Sequence, residues 1–284
     1  RSGATIHQIN TIRKHLSQVK GGNLAHRFSP ARVVTLILSD VVGNDLDVIA
    51  SGPLSPDPTT FAAAWETLTS CGLQKDTLGG VISHLKMGLR GEIPETPKNG
   101  DPVFERVQTL IVGDNGTAAA ASERRAISLG FEARMLATPL EGEARKGARD
   151  IVVEQVKKVA TDETMASCPR CLVMGGETTV TICGVGKGGR NQELALAVAI
   201  GLDEISLRRV RLVCLATDGE DGPTEAAGAV ADSDSVARAA RLGLDARDYL
   251  ARNDSFPFFA ALDNLIMTNP TGTNVNDLVI ALMY

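Results

Sequence analysis

The chain has 284 residues, of which 43% are hydrophobic and 22% are charged, so it is long enough for two globular domains of ordinary size. Its net charge of −5 argues against a general nucleic-acid surface, and no apolar run approaches the ~20 residues that span a bilayer. The five cysteines form a sparse, odd set, which favours reduced thiols and a cytoplasmic protein.

The first part of the chain alternates helical patterns with one short strand. Apolar residues at helical spacing between Ile6 and Val19 predict a helix that ends at Lys20–Gly22. The β-branched run Val33–Leu38 predicts a buried strand. Two more helices are predicted around residues 61–68 and 78–89.

Residues 91–102 contain three prolines and two glycines, and they predict a linker between two domains, 1–102 and 103–284. Beyond the linker, strands alternate with helices, which indicates an α/β layered domain with a largely parallel sheet. The predicted strands of this domain are 107–112, 171–174, 178–183, 210–216 and 278–283. Its predicted helices are 118–129, 145–160, 191–202, 233–242, 246–251 and 257–262.

Polar clusters follow several of these strands. Ligands of parallel α/β sheets bind beyond the carboxyl ends of the strands, so such clusters are candidate site residues. They are Ser39 with Asp40, Gly113–Asn115, Gly175–Glu177 and Thr217–Pro223. Each could instead be an ordinary turn, and for Gly113–Asn115 the turn is the favoured interpretation.

Two carboxylates in the last of these clusters could serve catalysis. Asp218 and Asp221 lie three residues apart in a glycine-rich turn, where they could hold Mg²⁺ together with phosphate oxygens of a substrate. Asp218 could instead accept a proton from a substrate hydroxyl.

The segment that leads into the helix 191–202 is the strongest anion-binding candidate. Glycines 184, 186, 188 and 189 surround Lys187 and precede Arg190. Flexible backbone N–H groups, a helix N-terminus and two cations are typical of phosphate or carboxylate sites. Arg190 is the most specific candidate among these residues. The segment is not a Walker A loop, and its match to the dinucleotide fingerprint is weak because the acidic partner is not at the expected distance.

Three smaller motifs have both a functional and a structural interpretation. Lys20–Gly22 combines a cation with flexible backbone but is also a helix C-cap. The loop Pro270–Asn274 could approach a ligand closely, whereas Asn253–Ser255 is a helix cap first. Cys168 and Cys171 form a CxxC without further ligands nearby, which favours a loop and a strand cysteine over a zinc site.

Together these motifs resemble the class II glycerate kinases, the glycerate 2-kinases of the MOFRL family. The residues that carry the resemblance are Ser39–Gly43, Ile49–Pro53, Gly175–Glu177, Gly186–Glu193, Thr217–Thr224, Asn253–Ser255 and Thr271–Asn274. The resemblance covers nearly the whole chain. It implies two α/β domains and the phosphorylation of D-glycerate to 2-phosphoglycerate by ATP, assisted by Mg²⁺.

The resemblance and the chemistry of the residues together predict a site. The catalytic residues would be Arg190, on which the family's active-site arginine falls, with Asp218 and Lys20. Asp218 and Asp221 would hold the metal. Residues expected to bind ATP or glycerate are Ser39, Asp40, Ser51, Gly52, Gly175, Gly176, Glu177, Lys187, Gly188, Gly189, Asn191, Thr271, Gly272, Thr273 and Asn274.

The sequence departs from the family in three places. Members carry roughly a hundred or more residues ahead of the matched region, about one domain, with an active-site lysine, so we expect an N-terminally truncated chain with an incomplete first domain. Asn44 stands where an aspartate is usual, and Leu54 where a threonine is usual. Two alternatives stay open, an NAD(P)H-dependent hydroxypyruvate reductase and an inactive anion-binding fragment. We expect no nucleic-acid or membrane partner, and the sequence leaves a homodimer open.

Overall fold

The computed structural model describes residues 4–74, 77–161 and 168–284, and the chain divides into two compact units. The first unit is Arg1–Ile37 with Gly43–Val112, and the second is Leu38–Val42 with Gly113–Tyr284. A domain boundary after residue 102 stays a prediction, since the residues up to 112 belong to the first unit. In the ranges just given, no helix combines the length and apolar character needed to cross a membrane.

The first unit is mainly helical. Its elements are α1 (Ile6–Leu16), α2 (Asn23–Phe28), β1 (Val33–Leu38), α3 (Phe61–Ser70), α4 (Gly79–Leu89) and β2 (Val107–Gly113). A capping box in which Thr5 and Gln8 exchange hydrogen bonds starts α1. Helices α1, α3 and α4 pack together around a small core that contains Phe61 and Leu85. The strand predicted at 33–38 and the helices near 61–68 and 78–89 are confirmed, but the strand is not buried, because Val34, Leu36 and Leu38 are exposed.

The second unit contains six helices and seven strands among the residues that the structure describes. The strands are β3 (Glu132–Met135), β4 (Leu140–Glu143), β5 (Arg170–Thr179), β6 (Val210–Ala216), β7 (Gly228–Asp232), β8 (Leu265–Ile266) and β9 (Asp277–Met283). The helices are α5 (Asn115–Ser128), α6 (Arg149–Ala160), α7 (Arg190–Glu204), α8 (Ser235–Arg241), α9 (Ala246–Ala251) and α10 (Ser255–Ala261). A π-helical turn, Ala144–Ala148, precedes α6.

The seven strands form one sheet in the order β3-β5-β9-β6-β7-β8, with β4 also paired to β5. The α/β class is confirmed, but the direction of pairing corrects the expectation of a largely parallel sheet. Strands β3 and β4 run parallel to β5, whereas β5–β9, β9–β6, β6–β7 and β7–β8 are antiparallel pairs. The reason is that short strands β7 and β8, which the sequence pattern did not reveal, follow β6, and β9 then inserts between β5 and β6.

This insertion of β9 decides where the site lies. Asp277, the first residue of β9, pairs in register with Gly176 of β5 and with Ala216 of β6. Because β9 runs opposite to both neighbours, its beginning lies at the sheet edge where they approach their ends. Residues just before β9 therefore meet residues that follow β6 and that end β5.

Helix α7 forms the centre of the second unit's core. Its residues Asn191–Leu202 are all buried, and it packs against α6, β6 and β7. A helix that is apolar on every face is stable only when it is surrounded in this way. Arg190 is its first residue, so the guanidinium is carried by one of the most enclosed elements of the unit.

Several boundaries differ from the predictions. The strand predicted at 171–174 continues to Thr179 within β5, residues 180–183 of the next predicted strand are not a strand, and the helix predicted from residue 145 begins at Arg149 after the π-helical turn. Cys168 is exposed, and Cys171 is buried within β5. Burial raises the pKa of Cys171 to about 11, so this thiol is unreactive.

Candidate active site

The central contact at the sheet edge is an ion pair between Arg190 and Asp277. The Nε of Arg190 donates to Oδ2 of Asp277 at 2.5 Å, and Nη2 donates to Oδ1 at 2.9 Å. Only 6% of the Asp277 side chain is exposed, against 29% for Arg190. The hydrogen bonds to Asp277 raise the pKa of Arg190, and burial raises the pKa of Asp277 while Arg190 opposes that rise. This bidentate ion pair fixes the orientation of the guanidinium.

Further carboxylates surround this arginine. Glu177 Oε1 lies 3.5 Å from Nη2 of Arg190, and the charge of Asp221 also acts on the guanidinium. The contacts with Asp277 and Glu177 use Nε and Nη2, so Nη1 is the nitrogen that a ligand can engage. With three carboxylates around one guanidinium, the local charge favours an anion that arrives together with a cation.

Asn276 connects this pair to two other segments. Its Nδ2 donates to the carbonyl oxygen of Asp40 at 2.8 Å and to Oε2 of Glu177 at 2.9 Å. Its backbone is left-handed, with φ of 64°, a conformation that asparagine tolerates better than most residues. Its buried Oδ1 has no hydrogen-bond partner within the described parts of the chain, so a water or a ligand donor could satisfy it.

Ser39 and Asp40 follow β1 at this edge. Ser39 is buried, and its backbone N–H donates to the carbonyl of Gly113 at 2.9 Å. Asp40 has an exposed side chain, and its carbonyl is the one that Asn276 holds. Asn276 thus links the backbone of Asp40 to Glu177.

The loop after β6 and the loop before β9 are joined by their backbones. Thr271 donates its N–H to the carbonyl of Asp218 at 2.9 Å and its Oγ1 hydrogen to the carbonyl of Thr217 at 2.7 Å. Thr217 in turn donates to the carbonyl of Asn276 at 2.7 Å. The half-buried carboxylate of Asp218 accepts the N–H of Glu220 at 3.1 Å. Asp218 and Thr271 therefore lie at the same edge as Arg190.

The rest of the predicted loop is more exposed. Thr273 donates its N–H to Oγ1 of Thr271 at 3.3 Å, and Asn274 accepts the N–H of Asn276 through Oδ1 at 3.0 Å. Gly272 has a φ of 75°, and nothing lies within 4 Å of the position that a Cβ would take. These residues support the start of β9 rather than forming a closed cavity.

Asp221 caps the N-terminus of α7. Its Oδ1 accepts the backbone N–H of Asn191 at 3.0 Å and the Asn191 side-chain amide at 3.3 Å, and Oδ2 accepts the N–H of Gln192 at 2.9 Å. Gly189, the N-cap residue of α7, has no side chain for this task. Only 1% of Asp221 is exposed, and burial raises its pKa. The predicted metal role of Asp221 stays untested, and the structure gives its carboxylate a capping role.

Several N–H groups at the start of the glycine-rich segment are already hydrogen-bonded. Asn253 Oδ1 accepts the N–H of Cys183 at 2.8 Å and of Gly184 at 2.9 Å, and Asp254 Oδ1 accepts that of Lys187 at 2.9 Å. Anion binding by Gly188 and Gly189 stays a prediction. Asp254 stands at the N-cap position of α10, as predicted for Asn253–Ser255, but its side chain makes no hydrogen bond to that helix.

Close packing explains the glycines of this segment. A Cβ on Gly184 or Gly186 would lie 2.2 or 2.6 Å from the carbonyl oxygen of Arg252, and one on Gly188 would lie 2.2 Å from Ser255 Oγ. A Cβ on Gly189 would lie 2.3 Å from Asp221 Cγ. The motif lets two loops touch, which a larger residue would prevent.

The side chain of Lys187, between these glycines, makes two contacts at the protein surface. Its Nζ lies 3.0 Å from Oε2 of Glu225 and 4.1 Å from the ring centroid of Phe256. Both members of the ion pair are largely exposed, so the pair contributes little to stability and the cation can be recruited by a ligand.

Gly175 and Gly176 lie inside β5 instead of ending it. A Cβ on Gly175 would lie 1.8 Å from Oδ1 of Asn115, and one on Gly176 would lie 2.1 Å from the carbonyl oxygen of Leu140. Asn115 uses the space to donate to the carbonyls of Val275 at 2.8 Å and Asp277 at 2.9 Å. These two glycines shape the site by holding the start of β9, not by offering a flexible loop.

The first unit brings Lys20, Ser51 and Gly52 together. Lys20 Nζ donates to the carbonyl of Ala50 at 3.0 Å, and Gly21 and Gly22 donate their N–H groups to the carbonyls of Ser51 and Gly52 at 2.9 and 2.7 Å. Ala50, Ser51 and Gly52 have φ values of 52°, 63° and 60°. Gly52 adopts this conformation without strain, whereas Ala50 and Ser51 are strained by about 1–3 kcal/mol each, and such residues occur mainly at functional sites.

Comparison with known proteins identifies the family to which the chain belongs. The sequence matches the profile of the MOFRL family over residues 170–277 and that of a domain of unknown function, DUF4147, over residues 1–86. It is 38% identical to the glycerate kinase of Macaca fascicularis, covering 97% of this chain and 78% of that protein. The chain belongs to the glycerate kinase family. It is 41% identical to the D-glycerate 2-kinase of Thermotoga maritima, covering 100% of this chain and 64% of that protein.

A solved glycerate kinase shares the fold. The crystal structure of glycerate kinase from Thermotoga maritima superposes with a TM-score of 0.86 at 41% identity. That superposition covers 100% of this chain and 64% of the other. The chain therefore spans about 64% of the length of this relative. Arg190 and Asp218 fall in the part matched as MOFRL, and Lys20 and Ser51 fall in the other matched part.

In the sequence analysis Asn115 is interpreted as part of a turn, and two residues of the site are missed, Asn276 and Asp277. The last two directly precede the predicted final strand. They were overlooked because a parallel final strand would have its beginning at the opposite edge of the sheet, away from Arg190. The only signal was the asparagine–aspartate pair itself, since it stands where an antiparallel strand enters that edge.

Proposed function

We propose that this chain acts in the ATP-dependent phosphorylation of D-glycerate to 2-phosphoglycerate, alone or with a further segment of polypeptide. The observation that carries the proposal is similarity over 100% of the chain to two proteins named as glycerate 2-kinases, at 41% and 42% identity. The charged sheet edge around Arg190 supports it.

The chemistry of phosphoryl transfer suits these residues. Such reactions depend mainly on positioning and on electrostatic stabilisation of the transferred group. Arg190, oriented by Asp277, would bind a phosphate oxygen or the glycerate carboxylate through Nη1. Asp218 would accept the proton of the attacking hydroxyl or face the metal. Lys20, in the first unit, stays a predicted catalytic residue.

Carboxylates at this edge are compatible with Mg²⁺. Asp218 is half-buried, and Glu177 has a side chain that is 44% exposed beside Arg190. No group of three or more metal-ligating side chains occurs in the stretches that the structure describes. This donor set suits Mg²⁺, which keeps several waters and binds through one or two carboxylates and substrate phosphates. When bound, the ion would offset the negative charge of the phosphates.

The geometry disfavours the reductase alternative. Gly184, Gly186 and Gly189, the glycines of the weak dinucleotide match, are closely covered by Arg252–Asp254 and by Asp221. A dinucleotide-binding loop needs this space for its pyrophosphate. We infer a cytoplasmic location from the cysteines alone, which are all free, as is usual in a reducing compartment.

The test compares this chain with a longer form that carries the preceding reading frame. Each is incubated with Mg²⁺–ATP and D-glycerate, and 2-phosphoglycerate is identified by ³¹P NMR. We expect formation of 2-phosphoglycerate by at least the longer form, and a loss of about 100-fold or more in Arg190→Ala, with partial rescue in Arg190→Lys. A longer form that makes no 2-phosphoglycerate, or Arg190→Ala at full turnover, would contradict the proposal.

A further inference from the structure

A second charged pocket lies on the opposite half of α7, away from Arg190. It has a volume of about 400 Å³, and its apolar lining includes Ala197, Ile200 and Leu250. Ala197 comes seven residues after Arg190, which is roughly 10 Å along the helix axis. The pocket is therefore separate from the sheet edge that carries the proposed kinase chemistry, although one helix serves both.

Four cations line this pocket, against one carboxylate. They are Arg145 and Lys146 from the π-helical turn, Arg149 at the start of α6, and Arg247 from α9. The carboxylate is Glu204, which pairs with Arg149 and, at 2.9 Å, with Arg247. Three more carboxylates pair with these cations from the side: Asp150 with Arg149, and Glu193 and Glu143 with Arg145.

Two of the four cations have unused binding capacity. The Nη2 of Arg145 is buried and has no hydrogen-bond partner within the described ranges, although its Nε is held by Glu193 at 2.7 Å. A buried donor without a partner destabilises the folded state by about 1–3 kcal/mol unless a ligand or water satisfies it. Lys146 has an exposed side chain and no ion-pair partner among the described residues.

The backbone of the π-helical turn is irregular at the same place. Lys146 has φ of −125° and ψ of −106°, outside the helical region. Turns of the π type inside or beside α-helices occur frequently at functional sites. This turn delivers Arg145 and Lys146, one after the other, to the same pocket.

We propose that this pocket binds the phosphate group of a small phosphate monoester. A phosphate monoester carries about −1.5 to −2 charges near neutral pH and three acceptor oxygens, which matches the exposed Lys146 ammonium and the unsatisfied Nη2 donor of Arg145. The volume exceeds that of a bare phosphate, and the apolar surface of Ala197, Ile200 and Leu250 suits the organic part. The site is independent of the proposed kinase reaction.

Binding is measured on the intact chain with inorganic phosphate and glycerol 3-phosphate as probes, by calorimetry at constant ionic strength. We expect glycerol 3-phosphate to bind more tightly than phosphate, and Lys146→Ala and Arg247→Ala each to weaken it by about 3–10-fold. Arg241→Ala, which alters an arginine outside the pocket, should leave the affinity unchanged, and Arg190→Ala shows whether any binding occurs at the sheet edge instead.

Glu204→Gln gives an expectation of opposite sign, because the lost carboxylate competes with the ligand for Arg149 and Arg247. Affinity should rise about threefold, whereas Asp203→Asn removes the same charge from the neighbouring residue and should have no effect. Lys146 is exposed, so its variant is expected to fold and keeps the test decisive. No detectable binding, equal loss in Arg241→Ala, loss confined to Arg190→Ala, or equal gains in both carboxylate variants would overturn the proposal.

Discussion

The glycine-rich segment 183–189 and the sheet edge at Asn276 and Asp277 show opposite relations between sequence and structure. The segment has the composition of an anion-binding loop, yet Asn253 and Asp254 accept the N–H groups of Cys183, Gly184 and Lys187, and neighbouring loops contact its glycines closely. The edge has an unremarkable sequence, yet it orients Arg190 and carries an unsatisfied buried amide oxygen. The glycines serve packing, and the carboxylates set the electrostatics.

The comparison teaches that a carboxylate from a strand distant in sequence can orient a guanidinium. Arg190 is held by a buried carboxylate from another strand and stands on a helix that Asp221 caps. Binding of an anion then depends on the charges added by the ligand and its cation. The following predictions test each half of this comparison.

The largest expected effect comes from Gly189→Ala. A Cβ there would meet the Cγ and the backbone oxygen of Asp221 at 2.3 Å, so the buried cap of α7 has to move. We expect a loss of about 3–5 kcal/mol in the free energy of unfolding, or failure to fold, measured by urea denaturation. In Gly116→Ala the new Cβ meets only ordinary contacts, and the change should stay below about 1 kcal/mol. Equal tolerance of both variants would restore the open-loop interpretation.

Asp277→Asn is expected to have the next largest effect. It removes the charge that the half-buried guanidinium of Arg190 faces, and it replaces one acceptor oxygen by a donor. Breaking a buried pair in this way costs about 2–4 kcal/mol, which urea denaturation would detect. Asp218→Asn, a half-buried carboxylate at the same edge, should cost less than about 1 kcal/mol. If the two variants were equally stable, Asp277 would not organise the edge.

Asn253→Gly should have a smaller and more local effect. The φ of 57° at this position suits glycine, so the variant removes the side-chain hydrogen bonds without adding backbone strain. We expect the free energy of unfolding to fall by about 1–3 kcal/mol. Hydrogen exchange should become faster at the amides of Cys183 and Gly184, which donate hydrogen bonds to Asn253. Unchanged exchange at these two amides would show that Asn253 does not hold the segment.

The smallest effect is a pair of opposite pH dependences. Burial acts to raise the pKa of Asp57, but hydrogen bonds from Thr59 and the charge of Lys14 bring it below its ordinary value. Burial raises the pKa of Asp221. Ionised Asp57 therefore stabilises the fold above about pH 4 and loses that contribution in acid, whereas ionisation of Asp221 destabilises it and acid relieves the cost.

The measurement is urea denaturation between pH 7 and pH 3. The stability lost in Asp57→Asn should shrink as the pH falls, and the stability lost in Asp221→Asn should grow. A common slope for both variants would contradict the opposite environments assigned to the two carboxylates.

Local patterns predicted the elements well where the periodicity was strong. Strands β1 and β6 and helix α9 have the bounds that the sequence gives, and Arg190 and Asp218 lie at one edge as expected. The pairing direction of β9 could not be predicted, since β7 and β8 are short and β9 pairs with strands distant in sequence. The occupied N–H groups of the glycine-rich segment could not be predicted either, because their acceptors come from Asn253 and Asp254, more than sixty residues later.

The position of β9 also dictates an order of assembly. Strands β3, β4 and β5 can associate as one group and β6, β7 and β8 as another, but these groups share no pairing until β9 enters between them. Because β9 follows the other described strands of this sheet, a ribosome delivers it after them, together with the aspartate that orients Arg190. The inner edges of the two groups of strands therefore stay unpaired until β9 binds between them, and a chaperone that shields such edges would act in that interval.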